Sequence, residues 1–226
     1  MIEFEEYTRM NVLVFAPHND DEVLGVGGTI AKYAAQGHDV MICEVTAWLE
    51  QEERTKKLQA QAIEAHDILG VKETVFLDLP VVHLKETATH IKNKKFSEVV
   101  ERFKPDIAFV PHIGDMHIDH AETTLAAMVA LRPMGNPQLR AIYAYETLSE
   151  TEWNIPNVSN AFLPTVWSDI TDTFEKKIRA MQCFPTQLHD FPHPRSLQAI
   201  EALAKLRGST VGVQYAEAFS LIRERF

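Results

Sequence analysis

Short apolar runs alternate with longer amphipathic stretches along most of the chain. The runs predict strands over residues 11–16, 38–46, 74–78, 106–110 and 140–145. The stretches predict helices over residues 28–36, 53–69, 89–103 and 121–131. This alternation is typical of βαβ units, so we expect an α/β fold with a Rossmann-like, mostly parallel sheet and helices on both faces. A C-terminal extension is predicted to add a strand over 164–170 and helices over 172–183 and 196–207.

Polar clusters follow two of the predicted strands. The segment Pro17-His-Asn-Asp-Asp-Glu22 comes directly after the first strand, and His117-Ile-Asp-His120 ends the loop that follows the fourth. The carboxyl ends of parallel strands lie at one edge of a sheet, where ligands bind. We therefore expect both clusters to lie on loops at that edge and to meet there. Residues 153–164, rich in Asn and Pro, are predicted to form a long surface loop or a lid over the site.

Two imidazoles and several carboxylates are the side chains that a mononuclear metal site with a spare acid and a spare base requires. His18 and Asp21, three residues apart, can bend toward one metal, and a third ligand can come from the second loop. Asp20 points differently from its neighbour and is a candidate for the base that takes a proton from water. A histidine that is not a ligand could donate to an oxyanion or to a leaving amine.

Three simpler interpretations compete with the metal site. Gly25 and Gly27 resemble a dinucleotide fingerprint, but its last glycine position is Ile30, and the acidic residues 20–22 would repel a pyrophosphate. Those acidic residues could instead favour the positive end of a helix dipole. Asp119 and Glu122 have the spacing of a helix-capping pair. The occurrence of both clusters at two strand ends favours the metal site.

The chain resembles the PIG-L/LmbE family of metal-dependent N-deacetylases. The family's first motif, [P/A]-H-P-D-D-E, stands here as residues 17–22, and its second motif, H-x-D-H, as residues 117–120. Further similar segments are Gly25–Ile30, Leu69–Val71, Lys177–Ala180 with Gln187, and Gly212–Phe219, whose Tyr-Ala-Glu-Ala-Phe is similar to bacillithiol-pathway members. The resemblance implies one LmbE-like deacetylase domain over residues 1–226, with a short N-terminal extension over 1–10.

The resemblance also implies a role for each residue of the two motifs. It implies three metal ligands, which are His18, Asp21 and His120. Asp20 would be the general base. His117 would be the general acid that also stabilises the oxyanion, and Asp119 would hydrogen-bond to His117 and orient it.

The chain departs from the family pattern at three positions. Asn19 replaces the proline of the first motif, which should change the stiffness of the loop more than its chemistry. Many members carry R-x-x-E on the second helix, where this chain has Leu58 and Gln61. Arg54 lies one helical turn earlier and is a candidate replacement. These changes leave the identity of the substrate open.

Composition excludes several classes of partner. Lys and Arg total 22 against 32 Asp and Glu, a net charge of −10 without a basic stripe, so we expect no nucleic-acid partner. No stretch approaches 18 apolar residues and the acidic N-terminus has no signal-peptide core, so we expect no membrane association. Cys43 and Cys183 lie in unlike contexts, which is typical of reduced thiols in a cytoplasmic protein.

We therefore expect a zinc-dependent hydrolase that removes the acetyl group from an N-acetylated amino sugar of the N-acetylglucosamine type. Two histidines and a carboxylate also suit Fe²⁺ or another divalent metal. The alternative is a metal-dependent hydratase of an unsaturated dicarboxylic acid on the same fold. A third is a binding domain without activity, which the presence of Asp20 and His117 disfavours. The resemblance implies a small-molecule sugar substrate and a homo-oligomer, a trimer or a hexamer.

Overall fold

The computed structural model describes residues 9–226, in which a seven-stranded sheet carries helices on both faces. The strands are β1 Asn11–Ala16, β2 Asp39–Ala47, β3 Glu73–Pro80, β4 Ile107–Pro111, β5 Ala141–Tyr145, β6 Val166–Asp169 and β7 Ala216–Glu224. The α-helices are α1 Asp21–Ala35, α2 Glu52–Leu69, α3 Thr89–Phe103, α4 Ile118–Ala130, α5 Phe174–Met181 and α6 Leu197–Val211. The expected α/β fold class is confirmed.

The order of the strands places a crevice at the centre of the sheet. The order is β3-β2-β1-β4-β5-β7-β6, with parallel pairing from β3 to β5 and antiparallel pairing of β7 with both β5 and β6. From β1 the chain proceeds to β2 on one side, whereas β4 lies on the other side. The loops after β1 and β4 therefore diverge at a topological switch point, which is where open α/β sheets bind ligands.

The central strands are buried on both faces, which explains their continuous apolar sequences. In β1, Val12 and Val14 pack in a core with residues of α1 and α2, while Leu13 and Phe15 pack in a second core with residues of α3 and α4. All four side chains are fully buried. This two-sided burial fixes the position of the residues that follow the strand.

Both motif helices begin earlier than the sequence pattern predicts. Helix α1 begins at Asp21 rather than 28, and α4 begins at Ile118 rather than 121, so the last two residues of the first motif and the last three of the second lie in a first helical turn instead of a loop. Glycines weaken the helical signal after residue 24. Packing explains their presence, because a Cβ atom at Gly25 would lie 2.2 Å from the ring of Tyr145 and one at Gly28 would lie 2.7 Å from Ile170.

The C-terminal part differs most from the prediction. Strand β7 was not predicted, and its second half is exposed, so its sequence lacks the apolar run of a central strand. Helix α6 continues to Val211, four residues beyond the predicted end. The predicted N-terminal extension over residues 1–10 lies outside the described residues except for its last two. Between residues 9 and 226, no helix is long and apolar enough to cross a membrane.

Candidate metal centre

The two motifs meet at the crevice between β1 and β4. His18 follows β1, and its backbone folds back on the start of α1: the His18 N–H donates to Asp21 Oδ2 at 2.9 Å, and the His18 carbonyl accepts the N–H groups of Asp20 and Asp21. This turn brings the imidazole and the carboxylate to the same side. His120 arrives from the first turn of α4, so the structure brings together three of the predicted residues from two separate segments.

The donor atoms of His18, Asp21 and His120, here called the cavity cluster, face one another. Asp21 Oδ2 lies 3.1 Å from His18 Nδ1 and 3.2 Å from His120 Nε2, and one donor atom from each residue lies within 4.8 Å of the others. Ligands on a tetrahedral metal with bonds of 2.0–2.1 Å are about 3.3 Å apart. Asp21 Oδ1 and His120 Nε2 are buried and have no hydrogen-bond partner in the described part of the chain, and a shared cation would supply one. The donor set therefore fits a divalent metal.

The outer nitrogen of each histidine in the cavity cluster has a carboxylate partner. His120 Nδ1 lies 2.8 Å from Asp115 Oδ2, and the Thr151 hydroxyl donates to the other oxygen of Asp115 at 2.6 Å. His18 Nε2 lies 3.4 Å from Asp119 Oδ2. Carboxylates in this arrangement fix the ring orientation of metal-binding histidines. Asp115 was not among the predicted site residues, although its place in the loop five residues before His120 was a usable signal.

The electrostatics of the cavity cluster favour charged side chains. Burial would lower the pKa of His18, but hydrogen bonds with Asp119 and Asp21 outweigh it and raise the pKa to about 9. Burial likewise opposes the charged form of His120, but the charge of Asp21 and the bond with Asp115 raise its pKa to about 10. Burial would raise the pKa of Asp21, yet the two histidines hold it well below its usual value. The carboxylates thus attract positive charge to this point.

Asp20 lies beside the cavity cluster but points toward Arg195. The Arg195 guanidinium donates to Asp20 Oδ2 at 3.1 Å, to Gln187 at 2.9 Å and to Glu150 at 3.3 Å. Burial raises the pKa of Asp20 to about 7, although the charge of Arg195 opposes the shift. The sequence analysis did not identify Arg195 or Glu150, because they are about 175 and 130 residues away from the first motif and belong to no recognisable pattern.

His117 caps helix α4 and is held in one tautomer. Its Nδ1 accepts the backbone N–H of Asp119 at 3.2 Å, so in the neutral ring the proton is on Nε2. Burial and the neighbouring charge of His18 lower the pKa of His117 to about 4. The ring centroids of His117 and His18 are 4.4 Å apart in an edge-on arrangement. His117 therefore presents a neutral N–H donor next to the cavity cluster.

Asp119 hydrogen-bonds to His117 through its backbone N–H, whereas its carboxylate has other partners. Its carboxylate accepts the N–H groups of Val82 at 2.7 Å and Leu84 at 3.3 Å, and its contact with a ring is to His18, whereas His117 Nδ1 lies 3.9 Å away. The alternative interpretation of Asp119 and Glu122 as a helix-capping pair does not hold, because His117 caps α4 and Glu122 bonds to Lys92. The carboxylate instead ties the loop after β3 to a histidine of the cavity cluster.

A cavity of about 180 Å³ opens next to these residues. Its lining brings together residues of both motifs and four other segments, which are His18, Asn19, Asp20, Thr46, Trp48, Arg54, Leu58, Val81, Val82, His117, Glu150, Gln187 and Arg195. Residues 153–164 do not line it. They border a neighbouring cavity of about 410 Å³ together with Leu203 and Arg207, so they do not form the predicted lid.

A second group of acidic and imidazole side chains lies beneath the first. Glu22, Glu44 and His66, here called the sealed cluster, are at most 2 % exposed. His66 Nε2 lies 3.1 Å from Glu22 and 3.5 Å from Glu44, and His66 Nδ1 lies 2.7 Å from the Thr74 hydroxyl. Glu22 also accepts the backbone N–H of Asp20 at 3.2 Å. The sealed cluster therefore supports the turn that carries the first motif.

The chain is similar in sequence and in fold to several known enzymes. A diacetylchitobiose deacetylase from Thermococcus kodakarensis is 25% identical over 222 residues, which are 93% of this chain and 82% of the relative. A 4-oxalmesaconate hydratase from Pseudomonas putida is 25% identical over 209 residues, 79% of this chain and 74% of the relative. The structure of an N,N'-diacetylchitobiose deacetylase from Pyrococcus horikoshii shares the fold, with a TM-score of 0.76, 22% identity, and coverage of 95% of this chain and 84% of that one.

A family model covers the segment that contains both motifs. Residues 13–131 match the model described as PIG-L, GlcNAc-PI de-N-acetylase. This segment runs from β1 to the end of α4 and includes the cavity cluster, Asp20, His117 and Asp119. The chain belongs to the PIG-L family.

Proposed function

We propose that this chain is a metal-dependent hydrolase that removes the acetyl group from an N-acetylated amino sugar, and that it forms one LmbE-like domain. The observation that carries the proposal is the cavity cluster: within the described chain Asp21 and His120 have unsatisfied buried atoms, and His18 lines one cavity together with Asp20 and His117. A site that only stored a metal would not need these two further groups. Deacetylases among the relatives support the same reaction.

His18, Asp21 and His120 would hold the metal, for which we propose zinc. Three nitrogen and oxygen ligands are typical of catalytic zinc sites, and the same donors suit Fe²⁺. When bound, the metal supplies a Lewis acid and lowers the pKa of a coordinated water to about 7. Asp115 and Asp119 would keep the two imidazole rings in place through their outer nitrogens.

Asp20 would act as the general base. Its carboxylate lies at the cavity wall, next to but outside the cavity cluster, and the Arg195 guanidinium fixes its orientation. In amide hydrolysis it would take a proton from the attacking water, and that proton is the one that the departing amine requires. The products are acetate and the free amino sugar.

His117 would stabilise the charge that develops on the carbonyl oxygen. Because its Nδ1 accepts the Asp119 N–H, its Nε2–H is the donor available to the oxyanion and to the leaving nitrogen. A role in protonating the amine, which the family resemblance implies, uses the same nitrogen. Asp119 would position both histidines, His117 through its backbone and His18 through its carboxylate.

The second candidate function is hydration of an unsaturated dicarboxylic acid. A hydratase occurs among the relatives, and two arginines, Arg54 and Arg195, line the cavity. However, Arg195 already binds Asp20 and Glu150, so only Arg54 remains for a substrate carboxylate. Deacetylation requires no paired cations and is favoured for that reason.

A metal analysis combined with an amine-release assay tests the proposal. The protein, reconstituted with zinc or with iron(II), would be offered N-acetylglucosamine, its glycosides and unsaturated dicarboxylic acids. We expect one metal per chain and release of a primary amine from at least one acetylated sugar. Loss of the unsaturated acid without any amine would favour the hydratase, and absence of bound metal under both conditions would overturn both candidates.

A further inference from the structure

One arginine in the cavity wall stacks on an aromatic ring. The guanidinium carbon of Arg54 lies 3.7 Å from the centroid of the Trp48 ring. Trp48 follows the end of β2, and Arg54 belongs to the first turn of α2. Both line the same cavity as His18 and His117. Stacking holds the planar guanidinium in one orientation and leaves its N–H edges available.

Among residues 9–226, this arginine has no acidic partner. In the chain from residue 9 onward, no carboxylate oxygen lies within 4.0 Å of the Arg54 nitrogens, and its one polar side-chain contact is the Gln51 amide oxygen at 3.4 Å. The adjacent Glu52 and Glu53 pair with Lys56 instead. Arg54 is therefore a free positive charge at the mouth of the site.

The other arginine of the cavity is in a contrasting situation. Arg195 donates to Asp20 and Glu150 and is only 16% exposed at its side chain, so its charge is neutralised within the protein. On a chain with a net charge of −10, an unpaired cation that lines the cavity points to a negatively charged ligand group.

A second space borders the cavity at the tryptophan. Trp48, Val81 and Val82 separate the cavity from a groove of about 360 Å³ whose wall also includes Leu49 and Pro80. The two spaces share these three residues, so a group attached to a sugar whose amide lies near His18 would lie beside Arg54 and Trp48, where the cavity borders the groove. The structure thus offers room for a group attached to the sugar.

We infer that the Trp48–Arg54 pair recognises a carboxylate or a phosphate on the group attached to the amino sugar. The natural substrate is then an anionic conjugate and not a neutral sugar. This inference rests on the proposed function, because it assigns the substrate class of the same site. Arginine suits the task because its planar fork binds both oxyanions in a bidentate manner.

The test compares three substrates and two variants. The substrates are the neutral methyl glycoside of N-acetylglucosamine, a glycoside whose aglycone carries a carboxylate, and N-acetylglucosamine 1-phosphate. The variants are Arg54→Gln and, as a charge-matched control, Lys57→Gln, which removes one exposed cation from the same helix. Amine release gives kcat/KM, and calorimetry with the anionic compounds gives affinity without turnover.

We expect wild type to prefer one of the anionic substrates, and which one is preferred distinguishes a carboxylate from a phosphate. Arg54→Gln should reduce the ratio of kcat/KM on that substrate to kcat/KM on the neutral glycoside by about 10- to 100-fold, the usual effect of losing a charged hydrogen bond. Calorimetric affinity should fall in parallel, and Lys57→Gln should change neither quantity.

Two other results would be informative in different ways. Equal turnover of neutral and anionic substrates, with the same ratio in Arg54→Gln, would overturn this inference and leave the deacetylase proposal intact. Anion binding that depends on Arg54, but no amine from any substrate, would overturn the deacetylase proposal and retain an anion site.

Discussion

The cavity cluster and the sealed cluster contain similar side chains but differ in what surrounds them. Each combines imidazole and carboxylate groups whose donor atoms lie within 4.8 Å of one another. In the cavity cluster, Asp21 and His120 keep buried atoms without partners, and the side chain of His18 is 21% exposed to a cavity. In the sealed cluster, both oxygens of Glu22 and both ring nitrogens of His66 have partners within the protein.

This difference teaches that donor composition alone does not identify a catalytic metal site. A metal requires an entry path and ligands that are not already satisfied, and the cavity cluster meets both requirements. The sealed cluster is closed; both oxygens of Glu44 lack a hydrogen-bond partner among the described residues, and burial with the neighbouring carboxylates raises the Glu44 pKa, which favours a bound proton over a metal. We therefore expect one metal per chain, held by the cavity cluster. The sealed cluster is expected to stabilise the folded protein and not to bind a metal.

The largest effect should come from replacing one histidine in each cluster, His120 in the cavity cluster and His66 in the sealed cluster. His120→Gln should lose the metal and with it the activity, because one of three ligands is removed. His66→Gln should retain the metal and lower the free energy of unfolding by about 1–3 kcal/mol, because Glu22 and Thr74 lose a buried partner. Metal content and chemical denaturation measure the two effects. Loss of metal from His66→Gln alone would reverse the assignment of the clusters.

A smaller effect should follow from replacing Arg195, the arginine that links Asp20 to Glu150 in the cavity wall. Arg195→Gln should lower turnover by about 10- to 100-fold without loss of metal, because Asp20 and Glu150 lose the group that orients them. Arg207→Gln is the matched control, since Arg207 makes a two-pronged bond to Glu146 outside this cavity. Equal turnover in the two variants would show that Arg195 has no part in positioning Asp20.

The smallest effect concerns the protonation of Glu44. Burial and the nearby charges of Glu22 and Asp21 raise its pKa well above the usual 4.5, so the folded protein holds a proton that the unfolded chain releases. The contribution of Glu44 to stability is then greatest below pH 4.5 and decreases as the pH rises toward the folded pKa.

Glu44→Gln imitates the protonated acid and removes this dependence. We expect its free energy of unfolding, relative to wild type, to increase as the pH is raised from about 4.5 to 8. Denaturation at a series of pH values measures the difference. A difference that stays constant with pH would show that Glu44 is ionised in the folded protein, which would revive the sealed cluster as a cation site.

The strands and the core of the site could be predicted because their signals are local. The apolar run of β1 matches its predicted limits, and the two motifs place His18, Asp21 and His120 at strand ends without any knowledge of distant contacts. The start of α1 was not predicted because the glycines after residue 24 weaken the local helical signal, and the reason for Gly25, its close packing against Tyr145, involves residues 120 positions apart.

The residues that hold the site residues in place could not be predicted from the sequence. Arg195 reaches Asp20 from a Pro-rich connection that shows no periodicity, and His66 contacts Glu22 across 44 residues. In strand β7, which pairs with β5 and β6, the first four residues are buried and the last four are exposed, so its sequence shows neither a continuous apolar run nor an alternation. These features depend on tertiary packing, which outweighs local preference.

The most direct test of the account compares the metal content of Asp20→Asn and Asp21→Asn. The two carboxylates are adjacent in sequence, yet only Asp21 lies between the histidine nitrogens, while Asp20 bonds to Arg195. After identical reconstitution with zinc, we expect Asp20→Asn to hold one metal per chain but to lack most of its turnover, and Asp21→Asn to lose the metal. A metal retained in Asp21→Asn and lost from Asp20→Asn would contradict the assignment of ligand and base.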